Sequence, residues 1–194
     1  MRSIRASEYR IMPWRNGGGT TTEIAISPPD AGLSGKPFEW RISIADVTTD
    51  GPFSTFPGYD RHIMVIDGEG MTLETEEAGS LDLTKPLTPV SFAGEWAING
   101  TLRDGAVRDF NLMLRRENCS GSLTVRRLEE RVALYAQRKT LLCYLLAGEA
   151  AVAGHVIAET DSLLIENEDL TLSPLSPLTV AVCEIRYHAQ GLRI

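Results

Sequence analysis

An all-β fold of two small barrels is what this sequence predicts, and three observations predict it. Short apolar segments recur along nearly the whole chain, many alternating or β-branched, and Gly, Pro and Asp cut them at regular intervals. Sustained helical periodicity is hard to find in any window. Third, Met64-Val65-Ile66-Asp67-Gly68-Glu69-Gly70 resembles Tyr144-Leu145-Leu146-Ala147-Gly148-Glu149-Ala150. The two glycines are about 80 residues apart, a length that suits one barrel per half. The expected division is 1–120 and 121–194, with strands free to be exchanged between the halves.

Taken in order, Thr20 to Ile26 is β-branched-rich and stops at Pro28-Pro29-Asp30, after which Asp30 to Pro37 is a loop by composition. Phe38 to Val47 is a strong strand, with Trp40, Ile42 and Ile44 on one face and Arg41, Ser43 and Ala45 on the other. Asp50-Gly51-Pro52 breaks it, and Phe53 to Tyr59 is an aromatic loop. His62 to Asp67 is a short apolar strand, with Met71 to Glu76 as its hairpin partner across Gly68-Glu69-Gly70. Val90 to Ala93 and Phe110 to Arg115 continue the series, and Asp104-Gly105 is taken as a hairpin turn.

After a turn at Asn118-Cys119-Ser120-Gly121 comes a second group: Leu123 to Arg127, Val132 to Ala136, Thr140 to Leu146 and Ala150 to Ile157, then Ser162 to Glu166, Leu170 to Ser173 and Leu178 to Ile185. Leu128 to Tyr135 suits a helical turn or two, or a strand.

Bulk properties narrow the partners. The 194 residues are 43% hydrophobic and 23% charged, enough for a sizeable core. A net charge of −7 argues against nucleic acid, whose phosphates want a basic face. No apolar run reaches the ~18 residues of a membrane span, and the N-terminus has no signal core. Three cysteines, odd in number and far apart, form neither a disulfide framework nor a metal pattern. Cys143 and Cys183 read as core residues and Cys119 as a turn residue. A reduced, cytoplasmic protein is expected.

Pro13-Trp14-Arg15-Asn16-Gly17-Gly18-Gly19-Thr20 is the densest local motif. Three glycines permit positive φ and close approach to backbone N–H groups, so it reads either as a ligand rim or as a tight corner. It is no phosphate loop: the Gly-Lys-Ser/Thr ending is missing, and a strand follows instead of a helix N-terminus.

Together with Glu23-Ile24-Ala25, Trp40-Arg41-Ile42-Ser43-Ile44-Ala45, Gly51-Pro52-Phe53-Ser54, Pro57-Gly58, Asp60-Arg61, Phe92-Ala93-Gly94 and Asp109-Phe110-Asn111-Leu112-Met113, that motif resembles the HutD/Ves family of bacterial bicupin proteins. The match runs in order through the first two-thirds of the chain and continues mainly as strand pattern beyond. The resemblance implies two cupin-like, jelly-roll-type barrels, an association with histidine utilisation, and a regulatory or ligand-binding role. Formylated or carboxylated products of histidine breakdown, formylglutamate-like or urocanate-like, are the implied ligands.

The chemistry of the residues fits that class. Metal-binding cupins use a closely spaced His-x-His; the corresponding stretch here holds only His62, with His155 and His188 isolated, so neither a metal nor another cofactor is expected. His62 is expected to be satisfied by Asp60 at i−2, His155 to sit in a hairpin, and His188 near the surface. Ser43, Ser54 and Ser91 lack a nucleophile-elbow context.

A carboxylate is better served: Arg41 and Arg61 offer guanidinium forks, Ser43 a hydroxyl, and Asn16 and Asn111 amides that donate and accept. Trp14 and Phe53 would wall the pocket, and Gly17, Gly18 and Gly19 would bring backbone donors near the ligand. Each arginine is equally open to a structural ion pair, and Asn111 to a backbone bulge. Three functions follow: metal-independent binding of a small anionic metabolite; a metal-free isomerase or hydrolase with Glu23, Asp60 or His62 as general base; or an interaction module whose barrel edges pair into a homodimer.

Overall fold

The computed structural model describes residues 1–14, 17–31 and 36–188. Strands dominate it, with a short 3-10 turn at Ala6–Glu8. In chain order they are β1 (Arg2–Ile4), β2 (Arg10–Pro13), β3 (Gly19–Ser27), β4 (Trp40–Val47), β5 (Gly51–Pro52), β6 (Tyr59–Asp67), β7 (Met71–Thr75), β8 (Gly79–Asp82), β9 (Val90–Ala93), β10 (Asn99–Leu102) and β11 (Val107–Arg115). They continue as β12 (Cys119–Leu128), β13 (Val132–Tyr135), β14 (Thr140–Ala147), β15 (Ala150–Val152), β16 (His155–Ile157), β17 (Ser162–Glu166), β18 (Asp169–Pro174) and β19 (Leu178–Tyr187). No helix among the described residues is long and apolar enough to cross a membrane.

The chain divides into two compact units, Arg10–Glu117 and Met1–Tyr9 together with the chain from Asn118 on. The N-terminal strand belongs with the later unit, an exchange of the kind the sequence allows, because β1 pairs antiparallel with β17. Asp161 fastens the same segment, accepting from Arg5 Nη1 at 2.7 Å and from the Ala6 N–H at 3.1 Å.

Each unit is a pair of antiparallel sheets, and the two share one topology. The first has sheets ordered β2-β3-β4-β11-β6-β9 and β5-β10-β7-β8; the second has β1-β17-β14-β19-β12 and β13-β18-β15-β16. Adding eight to each strand number turns β4-β11-β6-β9 into β12-β19-β14-β17, and β5-β10-β7-β8 into β13-β18-β15-β16. Even the irregularities agree. The β6–β11 ladder slips between Arg108 and Asp109, and the β14–β19 ladder slips at Leu145/Ala147, the matching place.

Gly68 and Gly148 are equivalent corners. Each carries the chain out of one sheet and into the other, so β7 is not the hairpin partner of β6, contrary to the sequence expectation. Their φ values are +95° and +87°, and an added Cβ would lie 2.6 Å from Ala106 O and 2.4 Å from Pro177 O. Only glycine fits both requirements. Asp104-Gly105 likewise joins β10 to β11 across sheets instead of closing a hairpin. Val132–Tyr135 is strand, one of the two forms the sequence allows there, whereas Cys119 opens β12 fully buried instead of lying on a turn.

The core of the first unit fills the space between its sheets with Ala45 and Val47 from β4, Ile63 and Val65 from β6, Met71 and Leu73 from β7, and Phe92, Ile98 and Val107. The second unit is filled by residues that include Leu141, Cys143, Leu145, Leu163, Ile165, Val180 and Val182. Along β4, Trp40, Ile42 and Ile44 are buried on the face opposite Arg41, Ser43, Ala45 and Val47, as the alternation predicts.

Candidate functional site

Register decides which side chains meet on the inner face of the six-stranded sheet. On β11, Asp109 is opposite Ala45 and Val65, Asn111 is opposite Ser43 and Ile63, and Met113 is opposite Arg41 and Arg61. One end of this face is therefore apolar core and the other is polar. Around the polar end lies a cavity of about 400 Å³ within the first unit, walled by Trp14, Arg41, Ser43, Phe53, Arg61, Asp109 and Asn111 among others.

Arg61 is buried, 6% exposed. Its guanidinium carbon lies 5.1 Å from the Phe92 ring centroid, 5.6 Å from Phe53 and 5.7 Å from Phe56, so three aromatic faces hold the cation. Nη2 donates to Asn111 Oδ1 at 2.9 Å and Nη1 to Ser54 O at 3.4 Å. The Asn111 amide is thereby oriented, and its Nδ2 donates to Asp109 Oδ1. Arg61 Nε and Asp109 Oδ2 are buried without hydrogen-bond partners among the described residues. Burial lowers the guanidinium to about 10, with Asp109 opposing that shift and Arg41 adding to it. Asp109, fully buried, is pushed up to about 7 by desolvation, against the pull of Arg61 and the Asn111 hydrogen bond.

Arg41 is committed differently. Its Nε lies 2.9 Å from Glu23 Oε2 in an ion contact that is not aligned as a hydrogen bond, and Glu23 is itself buried at the β3 bulge. Arg41 and Arg61 thus share one wall, with a partner carboxylate on the former.

The second unit supplies an internal control. At the positions of Arg61, Asp109 and Asn111, the common register places Leu141, Val180 and Val182, and Phe92 corresponds to Ile165. All four belong to that unit's apolar core. The topology is satisfied by apolar residues there, so the polar cluster is an addition to the fold and no requirement of it.

Of the residues singled out from sequence, Trp14, Arg41, Ser43, Arg61 and Asn111 converge on this cavity, and Asn16 lies outside the described residues. Gly17, Gly18 and Gly19 are absent from its wall. They build the corner between β2 and β3: Gly17 has φ +73°, and a Cβ on Gly19 would fall 2.1 Å from Asp46 O and 3.1 Å from Trp14 Cζ3. The Trp14 N–H donates to Gly19 O at 3.0 Å, and its indole Nε1 to Thr21 Oγ1 at 2.8 Å. The glycines seat the tryptophan at the cavity wall.

Asp109 is the residue that sequence reasoning missed. Its signal was available, since Asp109 and Asn111 share a strand face at i, i+2.

The proposed bases lie elsewhere or are engaged. Asp60 pairs with Arg116 at 2.7 Å, and His62 bonds through Nδ1 to Ser91 Oγ at 2.7 Å instead of to Asp60. Burial lowers the His62 pKa, with Asp60 opposing. Among the described residues, no group of three or more His, Cys, Asp or Glu is placed to hold a metal ion.

Comparison with known proteins follows the same lines. A family model named HutD matches residues 6–181. An uncharacterised 21.2 kDa protein in the hutC 3' region of Pseudomonas putida is 37% identical over 171 residues, 86% of this chain and 87% of that one. Protein Ves of Escherichia fergusonii is 37% identical over 122 residues, 61% of each chain. The structure of HutD from Pseudomonas fluorescens SBW25, in a formate condition, superposes with a TM-score of 0.82 at 32% identity, covering 97% of this chain and 99% of that one. Likeness in fold alone reaches the cupin superfamily, as with an oxalate decarboxylase from Lactobacillus farciminis at TM-score 0.67 and 7% identity, over 95% of this chain and 85% of that one. The fold is cupin-like, and the chain belongs to the HutD family.

Proposed function

We propose that the first unit binds a small carboxylate metabolite through its side chains alone, and that occupancy of the cavity serves a regulatory role in histidine utilisation. The observation that carries this is the buried Arg61 guanidinium, held by three aromatic rings beside a cavity and on the same wall as a second arginine. A desolvated cation is worth retaining where an anion arrives to meet it, and a guanidinium fork matches a carboxylate. Family membership and a relative in the hutC 3' region point to the metabolic setting. Calorimetry with N-formylglutamate and with urocanate tests the proposal: binding of at least one is expected, and no heat from either with folded protein refutes it.

A second reading, that the cavity performs metal-free chemistry, has one observation in its favour. Asp109 is a buried cavity carboxylate with its pKa raised to about 7, the range of a general base. Incubation with a metabolite pool followed by mass spectrometry separates the two, since a binding protein leaves the pool unchanged.

A further inference from the structure

We propose that the cavity selects carboxylates that also carry an N–H or O–H donor, and that Asp109 Oδ2 is the atom that receives it. The inference rests on the carboxylate-binding reading above and adds the second half of the ligand.

The argument is one of unfilled valence. Arg61 Nη2 holds Asn111 Oδ1, which turns Asn111 Nδ2 onto Asp109 Oδ1. That relay fixes the carboxylate and uses one of its oxygens. Asp109 lines the cavity, and its Oδ2 is buried with no partner among the described residues. Buried acceptors are nearly always paired, and an orphaned one inside a low-dielectric wall is penalised heavily. A ligand that packs against this oxygen must bring its own donor or leave it unpaired. Sites of this construction discriminate strongly against an analogue lacking the matching polar group.

The charges around Asp109 support the same assignment. Arg61 on β6 and Asp46 on β4 are its charged neighbours, Arg41 and Asp50 border the same cavity, and Glu23 on β3 is committed to Arg41. Asp50 is itself occupied, accepting the Leu102 N–H at 2.8 Å. The arginines therefore mark the anionic end of the ligand and Asp109 the donor end. The fold does not ask for a carboxylate here, because Val180 holds the equivalent place in the second unit.

The test uses a matched pair of ligands, pyrrole-2-carboxylate and furan-2-carboxylate, which differ in a ring N–H replaced by oxygen, with formate as a donor-free reference. Calorimetry on the full chain at about pH 8, where Asp109 is ionised, is expected to show pyrrole-2-carboxylate binding at least about tenfold more tightly than its furan counterpart. Asp109→Val should bring the two to equal affinity. Equal affinity in the unaltered protein overturns the inference and leaves carboxylate binding standing. Failure of all three probes to bind overturns the carboxylate reading itself. Because the ratio in the unaltered protein decides the matter, the test survives a variant that fails to fold.

Discussion

Replacing Arg61, Asp109 and Asn111 together, as Arg61→Leu, Asp109→Val and Asn111→Val, gives the first unit the interior residues that the second already has at Leu141, Val180 and Val182. The swap removes a desolvated cation, a carboxylate with an unpaired oxygen, and the amide that links them. Exchanging such a buried network for apolar residues is commonly neutral or stabilising by about 1–4 kcal/mol. The existing cavity of about 400 Å³ places the expected gain at the low end, ~1 kcal/mol, since the shorter side chains enlarge a space that is not refilled. For a chain of this size that is a rise in Tm of roughly 2–4 °C. Binding of every carboxylate should disappear at the same time. Arg61→Leu alone is the contrasting case: it strands Asp109 and should destabilise by about 3–5 kcal/mol, a loss relieved on acidification. Thermal melts and urea titrations read both effects. A triple variant that loses more than about 2 kcal/mol would refute the reasoning, because the network would then be a structural necessity.

Other outcomes can be checked independently. Asp109 has a folded pKa of about 7 against an ordinary 3.8, so between those values the folded state holds a proton that the unfolded chain has released. Its contribution therefore falls as pH rises through that window and is flat above; relative to Asp109→Val, the unaltered protein should lose on the order of 3 kcal/mol between about pH 5 and pH 8 in urea titrations. Arg41→Ala and Arg61→Ala should each weaken carboxylate binding by roughly tenfold or more, measured by calorimetry on protein shown to be folded. Gly19→Ala should destabilise by about 2 kcal/mol or more, because its Cβ meets the Asp46 carbonyl, whereas Gly17→Ala should show only the ~1–2 kcal/mol of a left-handed backbone. Burial raises the Cys143 thiol to about 12 and Cys183 well above its ordinary range, so thiol reagents at neutral pH should leave both unmodified until the protein unfolds.

The strands were legible because period-two alternation is local: Arg41 and Ser43 could be placed on one face of β4 without any partner strand. The convergence of Arg61 and Asn111 with them was legible only through motif resemblance, since residues from β4, β6 and β11 meet by register, which a single strand does not encode. Two errors share one cause. The Gly68 and Gly105 turns read as hairpins because their neighbours are apolar strands, and whether a short turn closes a hairpin or changes sheets depends on where each strand packs afterwards. Asp109 was half legible: its shared strand face with Asn111 is local, but the unpaired oxygen exists only once Arg61 from another strand has oriented that amide. The glycine run was recognised from sequence, but the close approach that demands Gly19, to Asp46 and Trp14, is made by tertiary packing.

The eight-strand offset between the two sheet pairs has a consequence for how this gene tolerates change. Substitutions in the second interior, at Leu141, Cys143 or Val180, should act on protein abundance, because those side chains pack the core. Apolar replacement of Arg61, Asp109 and Asn111 together should spare abundance and act on carboxylate binding, whereas loss of Arg61 alone should lower both. A mutational scan that records the amount of protein and its effect in the cell separately should therefore give one shared topology two different maps, one set by folding and the other by the polar cluster.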